Sequence, residues 1–351
     1  NGRTRHQARN RCTAGNFAAA HGRARAPAAA WPRAGRPDTT SAIESVSPIS
    51  WRPKRVLLTL TAVPASAVDF PMLPPLESLA TPLPSLPVET IAGHDHDDAI
   101  DLLLLHGWGL HSEFFRPLAA LLAPHCRIHL IDLPGHGHSP AVTPYSLDAM
   151  AAAVANAMRG VTGSYAVAGW SLGGAVALKM AILFPETVSH IITLASSPRF
   201  LRADDWQHAT TGHALELLRA GLARDYTGTL AQFFELNLAG SYREQADHLA
   251  ALALKRPAVQ PDVLVPGVVL TSGVDLRSEV AAIRAPLLAI SGRLDRLSYS
   301  QSSAWLAQAT GGRHIELAHA AHAPHLSHAS EVAKHMLQHL ARRDVSLGVD
   351  A

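Results

Sequence analysis

Cysteine, charged side chains and long hydrophobic runs are all scarce in this chain of 351 residues. Its two cysteines, Cys12 and Cys126, form at most one bridge, so a disulfide scaffold is excluded and a cytoplasmic location is predicted. No apolar run reaches the roughly 18 residues that a spanning helix requires, so no membrane association is predicted. With 17% charged and 48% hydrophobic residues, the composition is typical of a globular protein and excludes a disordered polyelectrolyte.

Histidine is abundant, but its 21 copies are scattered along the chain. Neither an HExxH pattern nor a cluster of cysteine and histidine at metal-ligand spacing occurs. We therefore predict no metal and no other cofactor.

The N-terminal part of the chain is basic. Residues 1–55 contain eleven Lys or Arg against two Asp or Glu, although the net charge of the whole chain is only +2. This arm shows neither a helical stripe nor interleaved aromatic side chains, so nucleic-acid binding is not predicted. Residues 52–67 mimic a signal peptide, which leaves export as a minor alternative if translation starts nearby. We expect residues 1–87, which end in a proline-rich stretch, to be disordered or non-native.

Short apolar runs alternate with segments of helical periodicity from about residue 88 onwards. Runs that are apolar on both faces are typical of a parallel sheet covered by helices. The strand runs are 102–105, 128–131, 165–168, 188–194, 287–290 and 313–317, and the helical segments are 112–122, 146–158, 172–184, 303–309 and 330–342. We therefore predict an α/β fold with a mostly parallel sheet flanked by helices.

One insertion interrupts this alternation. Residues 198–273 show helical patterns at 214–222, 229–238 and 246–254 but no convincing strand. This pattern indicates a helical cap over the carboxyl edge of the sheet, where open α/β sheets bind ligands. The predicted division is a core in two parts, 88–197 and 274–345, with the cap between them and a tail at 346–351.

A serine in a tight turn is the most specific chemical signal. The segment Gly169-Trp170-Ser171-Leu172-Gly173 fits the G-x-S-x-G nucleophile elbow, in which a strand leads into the serine and a helix leads out of it. Glycine at the flanking positions lets neighbouring backbone pass without a Cβ clash. We predict that Ser171 is a nucleophile, and the alternative is an ordinary glycine-rich turn between a strand and a helix.

A serine nucleophile needs a base and an acid that orients the base, in the chain order Ser, Asp or Glu, His. Asp295 follows the strand run 287–290 and is the expected acid, whereas its rival Asp275 precedes that run and reads more simply as part of a solvated turn. Four histidines follow the next strand run, and spacing alone does not choose among them: His319, His322, His325 and His328.

An oxyanion hole is expected from two backbone N–H groups. One belongs to Leu172, directly after the nucleophile, and the other to Trp108, in a loop that follows an early strand run. His106 in that loop is expected to be structural and to bond neighbouring backbone. The Gly/Pro loop 132–139 lacks the Lys-Ser/Thr pair of a phosphate-binding loop, so it is predicted to be a structural turn.

A family resemblance rests on the segments Leu104–Leu110, Leu130–Gly135, Gly169–Gly174, Ala195–Pro198 and Ala320–Pro324. Over about residues 88–345 the chain resembles the α/β-hydrolase superfamily. It is most similar to the pimeloyl-[acyl-carrier protein] methyl ester esterase branch, the carboxylesterases of biotin synthesis. The first three segments recur loosely across the superfamily, whereas the tryptophans and the last two segments are more particular to this branch.

The resemblance implies a triad of Ser171, Asp295 and His322, because His322 occupies the histidine position of Ala-Ala-His-Ala-Pro. It implies a cofactor-free monomer that hydrolyses a methyl ester on the acyl carrier protein, with that carrier and small esters as its partners. The acyl pocket it implies comprises Trp108, Ser171, Leu172, Phe233, Phe234, Glu235, Leu236, Asn237 and His322. Trp170 is expected to add to the apolar wall of that pocket.

Two features depart from the family pattern. The pocket segment ends in Asn237, where the family commonly has the longer amide Gln. The cap arginines that meet the acidic carrier do not align one for one, and the nearby substitutes are Arg219, Arg224, Arg243, Lys255 and Arg256. Other functions open to the same fold are a promiscuous short-chain carboxylesterase, a C–C bond hydrolase and a non-catalytic binding scaffold.

Overall fold

A computed structural model of the chain describes residues 83–91, 99–225, 228–230, 232–233, 255, 259 and 261–341. Most of the expected N-terminal extension, the helical pattern at 246–254 and the tail lie outside the described residues. The helical pattern at 229–238 is described only in part, with 228–230 and 232–233 helical. The division into domains therefore stays a prediction.

Seven strands among the described residues form one sheet, in the order β1-β3-β2-β4-β5-β6-β7. They are β1 (Val88–Ile91), β2 (Ile100–Leu105), β3 (Cys126–Ile131), β4 (Tyr165–Trp170), β5 (Val188–Leu194), β6 (Leu287–Gly292) and β7 (Arg313–Leu317). Strand β1 pairs antiparallel with β3, and all the other neighbours are parallel. The predicted α/β fold with a mostly parallel sheet is confirmed.

Helices follow the strands in alternation. They are α1 (Arg116–Leu122), α2 (Leu147–Arg159), α3 (Leu172–Leu183), α4 (Gly212–Arg224), α5 (Pro261–Gly273), α6 (Ser300–Ala309), α7 (Pro324–Ser327) and α8 (Ala329–Leu340). Helix α2 begins as its sequence predicts, because the Ser146 side chain accepts a hydrogen bond from the Ala149 N–H. None of the described helices is both long enough and apolar enough to cross a membrane.

The sheet is buried on both faces. Successive side chains of a strand point to opposite faces, so Leu103 and Leu105 of β2 join one hydrophobic cluster and Leu102 and Leu104 join the other. All four are fully buried. Burial of each such side chain contributes about 1.5–3 kcal/mol, so the packed sheet is a stable base for the loops at its carboxyl edge.

Strand β1 and helices α5 and α7 were not predicted. Strand β1 is short, half-buried and at the sheet edge, so it lacks the fully apolar run that marks the inner strands. Helix α5 contains Pro266, a residue that normally argues against a helix interior. Helices α4 and α5 both lie in the insertion between β5 and β6. The larger helical cap predicted there remains a prediction, since residues 234–254 are not described.

Candidate active site

The nucleophile elbow connects β4 to α3. Ser171 has φ 54° and ψ −119°, a strained backbone conformation for a residue with a side chain. A Cβ added to Gly169 would overlap the Gly173 carbonyl, and one added to Gly173 would lie 2.5 Å from His106 O. The predicted need for glycine on both sides of the serine is therefore confirmed.

Neighbouring strands hold this strained turn in place. The Ser171 N–H donates to Leu194 O at 3.0 Å, at the end of β5. The Ser196 hydroxyl donates to Ser171 O at 2.7 Å. Both bonds reach the elbow from β5 and the residues just after it, so they fix the backbone that presents the Ser171 hydroxyl. The role of Ser196 was missed, because sequence distance does not show that these two loops lie side by side.

The three residues expected to form the triad lie in hydrogen-bond contact. His322 Nε2 lies 3.0 Å from Ser171 Oγ, and His322 Nδ1 lies 2.8 Å from Asp295 Oδ2. A carboxylate only accepts hydrogen bonds, so Nδ1 carries the proton and Nε2 is free to accept the serine proton. Asp295 Oδ1 accepts from the N–H groups of Leu297 and Ser298, which orient the carboxylate. Asp295 and His322 are buried, whereas Ser171 is partly exposed.

The rival residues have other surroundings. Asp275 forms ion pairs with Arg199 and Arg277, and its Arg277 contacts lower its pKa to about 2 against the opposing effect of burial. His319 is exposed. His325 is fully buried between the rings of Phe115 and Trp170, and burial, followed by the nearby His322, lowers its pKa to about 3.

The expected oxyanion donors belong to two segments next to the nucleophile. Leu172 is the first residue of α3, where backbone N–H groups lack helical partners and favour negative charge. Trp108 lies in the loop after β2, and the main chain of that loop reaches the elbow, since a Cβ on Gly107 would lie 3.4 Å from Ser171 Cβ. Both N–H groups therefore belong to segments that border the Ser171 side chain.

Two buried histidines bracket Trp108. His106 Nδ1 donates to Gly107 O at 2.8 Å, while its Nε2 accepts from the Leu133 N–H at 2.8 Å. His136 Nε2 accepts from the Gly109 N–H at 3.1 Å. Burial lowers the pKa of His106 to about 3 and that of His136 to about 4, so both rings are neutral and able to accept. The expected structural role of His106 is confirmed.

An apolar cavity of about 60 Å³ opens beside Ser171. Its lining joins the elbow, the insertion and the acid loop: Trp108, Ser171, Phe200, Thr210, Leu215, Leu218, Phe233, Val268, Thr271, Leu297 and Ser298. Trp108 packs edge-to-face on Phe233, and its indole N–H donates to Leu264 O of α5 at 3.2 Å. The insertion thus supplies much of the wall, although most of these lining residues carry no recognisable sequence signal.

The predicted acyl-pocket residues divide into three groups. Trp108, Ser171 and Phe233 line the cavity. Leu172, Trp170 and His322 are buried and are not among the residues that line it. Their part in an acyl pocket stays a prediction. Residues 234–237 lie outside the described residues. In the described part of the chain, no three His, Cys, Asp or Glu side chains converge as metal ligands.

Sequence comparison assigns the chain to a family. The profile of the alpha/beta hydrolase family matches residues 102–335. A pimeloyl-[acyl-carrier protein] methyl ester esterase of Stenotrophomonas maltophilia is 40% identical over 247 residues, which is 68% of this chain and 92% of the relative. The chain belongs to this esterase family. A relative of the same name from Nitrosomonas europaea is 38% identical over 59% of this chain and 82% of its own length.

Solved structures place this esterase family member in the α/β-hydrolase fold. An esterase from Exiguobacterium antarcticum aligns with a TM-score of 0.67 at 20% identity, over 73% of this chain and 96% of that one. An enol-lactonase from Burkholderia xenovorans LB400 aligns with a TM-score of 0.65 at 21% identity, over the same shares. At these identities the likeness concerns the fold, which is the predicted one.

Proposed function

We propose that this chain is a serine carboxylesterase that hydrolyses the methyl ester of pimeloyl-[acyl-carrier protein] to pimeloyl-[acyl-carrier protein] and methanol in biotin synthesis. The observation that carries the proposal is the hydrogen-bonded line of Ser171, His322 and Asp295 beside an apolar cavity. A relative with this name, of which the chain covers 92%, supports the choice of substrate.

Acylation uses the proton path of the triad. His322 Nε2 takes the proton of Ser171 Oγ while that oxygen attacks the ester carbonyl carbon. The carbonyl oxygen becomes negatively charged and is stabilised by the N–H groups of Trp108 and Leu172. As the intermediate collapses, the C–O bond to the methoxy group breaks, and the proton on His322 passes to methoxide, so methanol leaves.

Deacylation repeats the sequence with water. His322 Nε2 takes a proton from water, whose oxygen attacks the acyl carbon on Ser171. The bond between that carbon and Ser171 Oγ then breaks, the proton returns to Ser171, and the carboxylic acid that forms loses its remaining proton to the solvent and is released as a carboxylate. Asp295 stays ionised throughout and stabilises the positive charge that His322 carries in both steps.

Features of helix α4 favour the proposal that the substrate is bound to a carrier protein. Its Leu215 and Leu218 line the cavity, while Arg219 and Arg224 are exposed. Basic side chains near the mouth of a cavity attract an acidic partner, although Arg219 already pairs with Glu216 on the same helix. Lys255 Nζ lies 3.9 Å from Glu113 Oε2. Arg243 and Arg256 lie outside the described residues. The proposal retains the predicted cytoplasmic monomer.

The decisive assay compares kcat/KM on the methyl ester of pimeloyl-carrier protein with kcat/KM on p-nitrophenyl acetate and butyrate. We expect the carrier ester to be the better substrate and the gene to restore growth of a biotin-requiring esterase mutant. Faster hydrolysis of the short esters together with failed growth would instead establish a promiscuous short-chain esterase.

The triad assignment has matched variants. Asp295→Asn and His322→Ala should each lower kcat by about 10⁴-fold. Asp275→Asn and His319→Ala, which alter the rival acid and an exposed histidine, should leave kcat within about twofold. A fluorophosphonate probe should label the wild type but not Ser171→Ala. Equal labelling of the two proteins would contradict the esterase proposal and favour a binding scaffold.

A further inference from the structure

The Trp170 side chain lies at the centre of the catalytic elements without lining the substrate cavity. Trp170 is the last residue of β4 and directly precedes Ser171. Its side chain is buried, with 3% of its surface exposed. The triad described above explains the position of Ser171 but not why a large indole stands directly before it.

One contact of Trp170 is with the base. Its indole N–H donates to the backbone oxygen of His322 at 2.6 Å. The indole and imidazole rings also lie close together, with centroids 5.8 Å apart. Ser171 and His322 are 151 positions apart in the chain, so no short backbone connection sets the distance between them. The indole supplies such a link, because it is joined to Ser171 through one peptide bond and to His322 through one hydrogen bond.

Two further contacts surround the same ring. Trp170 packs against His325 with ring centroids 4.5 Å apart and ring planes tilted by 52°, and His325 follows His322 by three residues. On another side, a Cβ on Gly107 would lie 3.3 Å from Trp170 Cε3, so the backbone of the oxyanion loop rests on the indole. The ring therefore touches the loop that carries the base and the loop that carries Trp108.

We propose that Trp170 is a positioning residue that sets the distance and angle between Ser171 Oγ, His322 Nε2 and the oxyanion loop. Proton transfer requires the 3.0 Å separation of the first two atoms to be maintained. A displacement of about 1 Å in such an arrangement lowers the rate by about 10²-fold. The inference rests on the proposed roles of Ser171 and His322, but it does not depend on which acyl group is the substrate.

The test is Trp170→Phe, which keeps an aromatic ring and removes the donor to His322 O. With p-nitrophenyl acetate as the probe, kcat should fall by about 10- to 100-fold while KM stays within twofold. The rate of labelling by a fluorophosphonate should fall in parallel. The low-field proton resonance of the His322–Asp295 hydrogen bond should broaden or shift, which a loss of global stability alone does not cause.

Trp206→Phe is the matched control. Trp206 is also buried, and its indole N–H also donates to a backbone oxygen, that of Arg199, at 3.0 Å. This variant should lose a similar amount of thermal stability but retain kcat within twofold. Trp170→Met, whose flexible side chain fills irregular space, is the second variant if Trp170→Phe does not fold.

The outcomes separate this inference from the proposed function. Unchanged kcat and an unchanged low-field resonance in a folded Trp170 variant would overturn the positioning role while leaving the esterase proposal intact. Equal kcat losses in the Trp170 and Trp206 variants would also overturn it, since the effect would then be one of stability. The proposed function would instead be overturned if the wild type failed to hydrolyse p-nitrophenyl acetate, or if Ser171→Ala hydrolysed it at the full rate.

Discussion

Replacing Gly173 with alanine tests whether the elbow and the oxyanion loop are held at a fixed separation. A Cβ on Gly173 would lie 2.5 Å from His106 O and 2.7 Å from the carbonyl carbon of Leu105. Ordinary contact begins near 3.4 Å, so the two segments have to separate by about 1 Å. Both neighbours are backbone atoms, which cannot turn away as a flexible side chain does.

The displacement acts on two catalytic groups at once. Leu105 and His106 lead directly into Gly107 and Trp108, so a movement of their carbonyl groups carries the Trp108 N–H away from the nucleophile. We expect kcat of Gly173→Ala to fall by about 10²-fold, as for a 1 Å misplacement. Overpacking should also lower the free energy of unfolding by about 1–3 kcal/mol, although alanine is otherwise a better helix residue than glycine.

Gly163→Ala is the control, because no heavy atom lies within 4 Å of the Cβ that it would add. Hydrolysis of p-nitrophenyl acetate and thermal unfolding should be measured for both variants, with fluorophosphonate titration to count active sites. A folded Gly173→Ala protein with kcat within twofold of the wild type would show that the separation of the elbow and the oxyanion loop does not limit catalysis, and so would an equal loss of kcat in Gly163→Ala.

Two further predictions concern buried histidines. His106 Nδ1 donates to the Gly107 carbonyl, which shares a peptide plane with the Trp108 N–H. His106→Ala should therefore lower kcat about 10- to 100-fold at unchanged KM. His138 is exposed, so His138→Ala is the control and should leave kcat unchanged. His325 has no hydrogen-bond partner for either ring nitrogen among the described residues, so His325→Phe should stabilise the fold by about 1–3 kcal/mol in urea unfolding. The folded pKa of His325, about 3, lies below the ordinary 6.5, so the unfolded chain binds the extra proton first as the pH falls. Between pH 6.5 and about 3 the wild type therefore loses up to about 1.4 kcal/mol per pH unit through this group, a loss that the variant should lack. An equal slope in the two proteins would contradict this.

The inner strands could be predicted because burial on both faces leaves a continuous apolar run. Strand β5 and strand β7 have the predicted bounds, and β2, β3, β4 and β6 extend their predicted runs by two residues each. Strand β1 is half-buried at an edge, so its sequence shows no such run. Helix α6 begins three residues before its predicted start, because its first residues, Ser300, Gln301 and Ser302, are polar and carry no apolar periodicity.

The elbow was predictable because its backbone leaves no room for a Cβ at Gly169 and Gly173, and this steric demand appears in the sequence as glycine. The cavity was not, because Phe200, Leu218 and Val268 meet only after the chain has folded, and each alone resembles a core residue. The role of Trp170 was likewise not predictable from the sequence. An indole at this position of the sequence is compatible with a pocket wall. Only the hydrogen bond from its N–H shows that the side chain contacts His322.

The choice among the four late histidines shows what local sequence lacks. All four lie between β7 and the start of α8, so each satisfies the chain order of a triad. What separates them is the partner of each ring: His319 is exposed, His328 bonds Ser327, and His325 is enclosed by two aromatic rings. A base needs an acceptor on one nitrogen and the nucleophile on the other. His322 meets that condition, because Asp295 follows β6 and Ser171 follows β4. These two residues lie near each other only because the whole sheet brings the ends of their strands together.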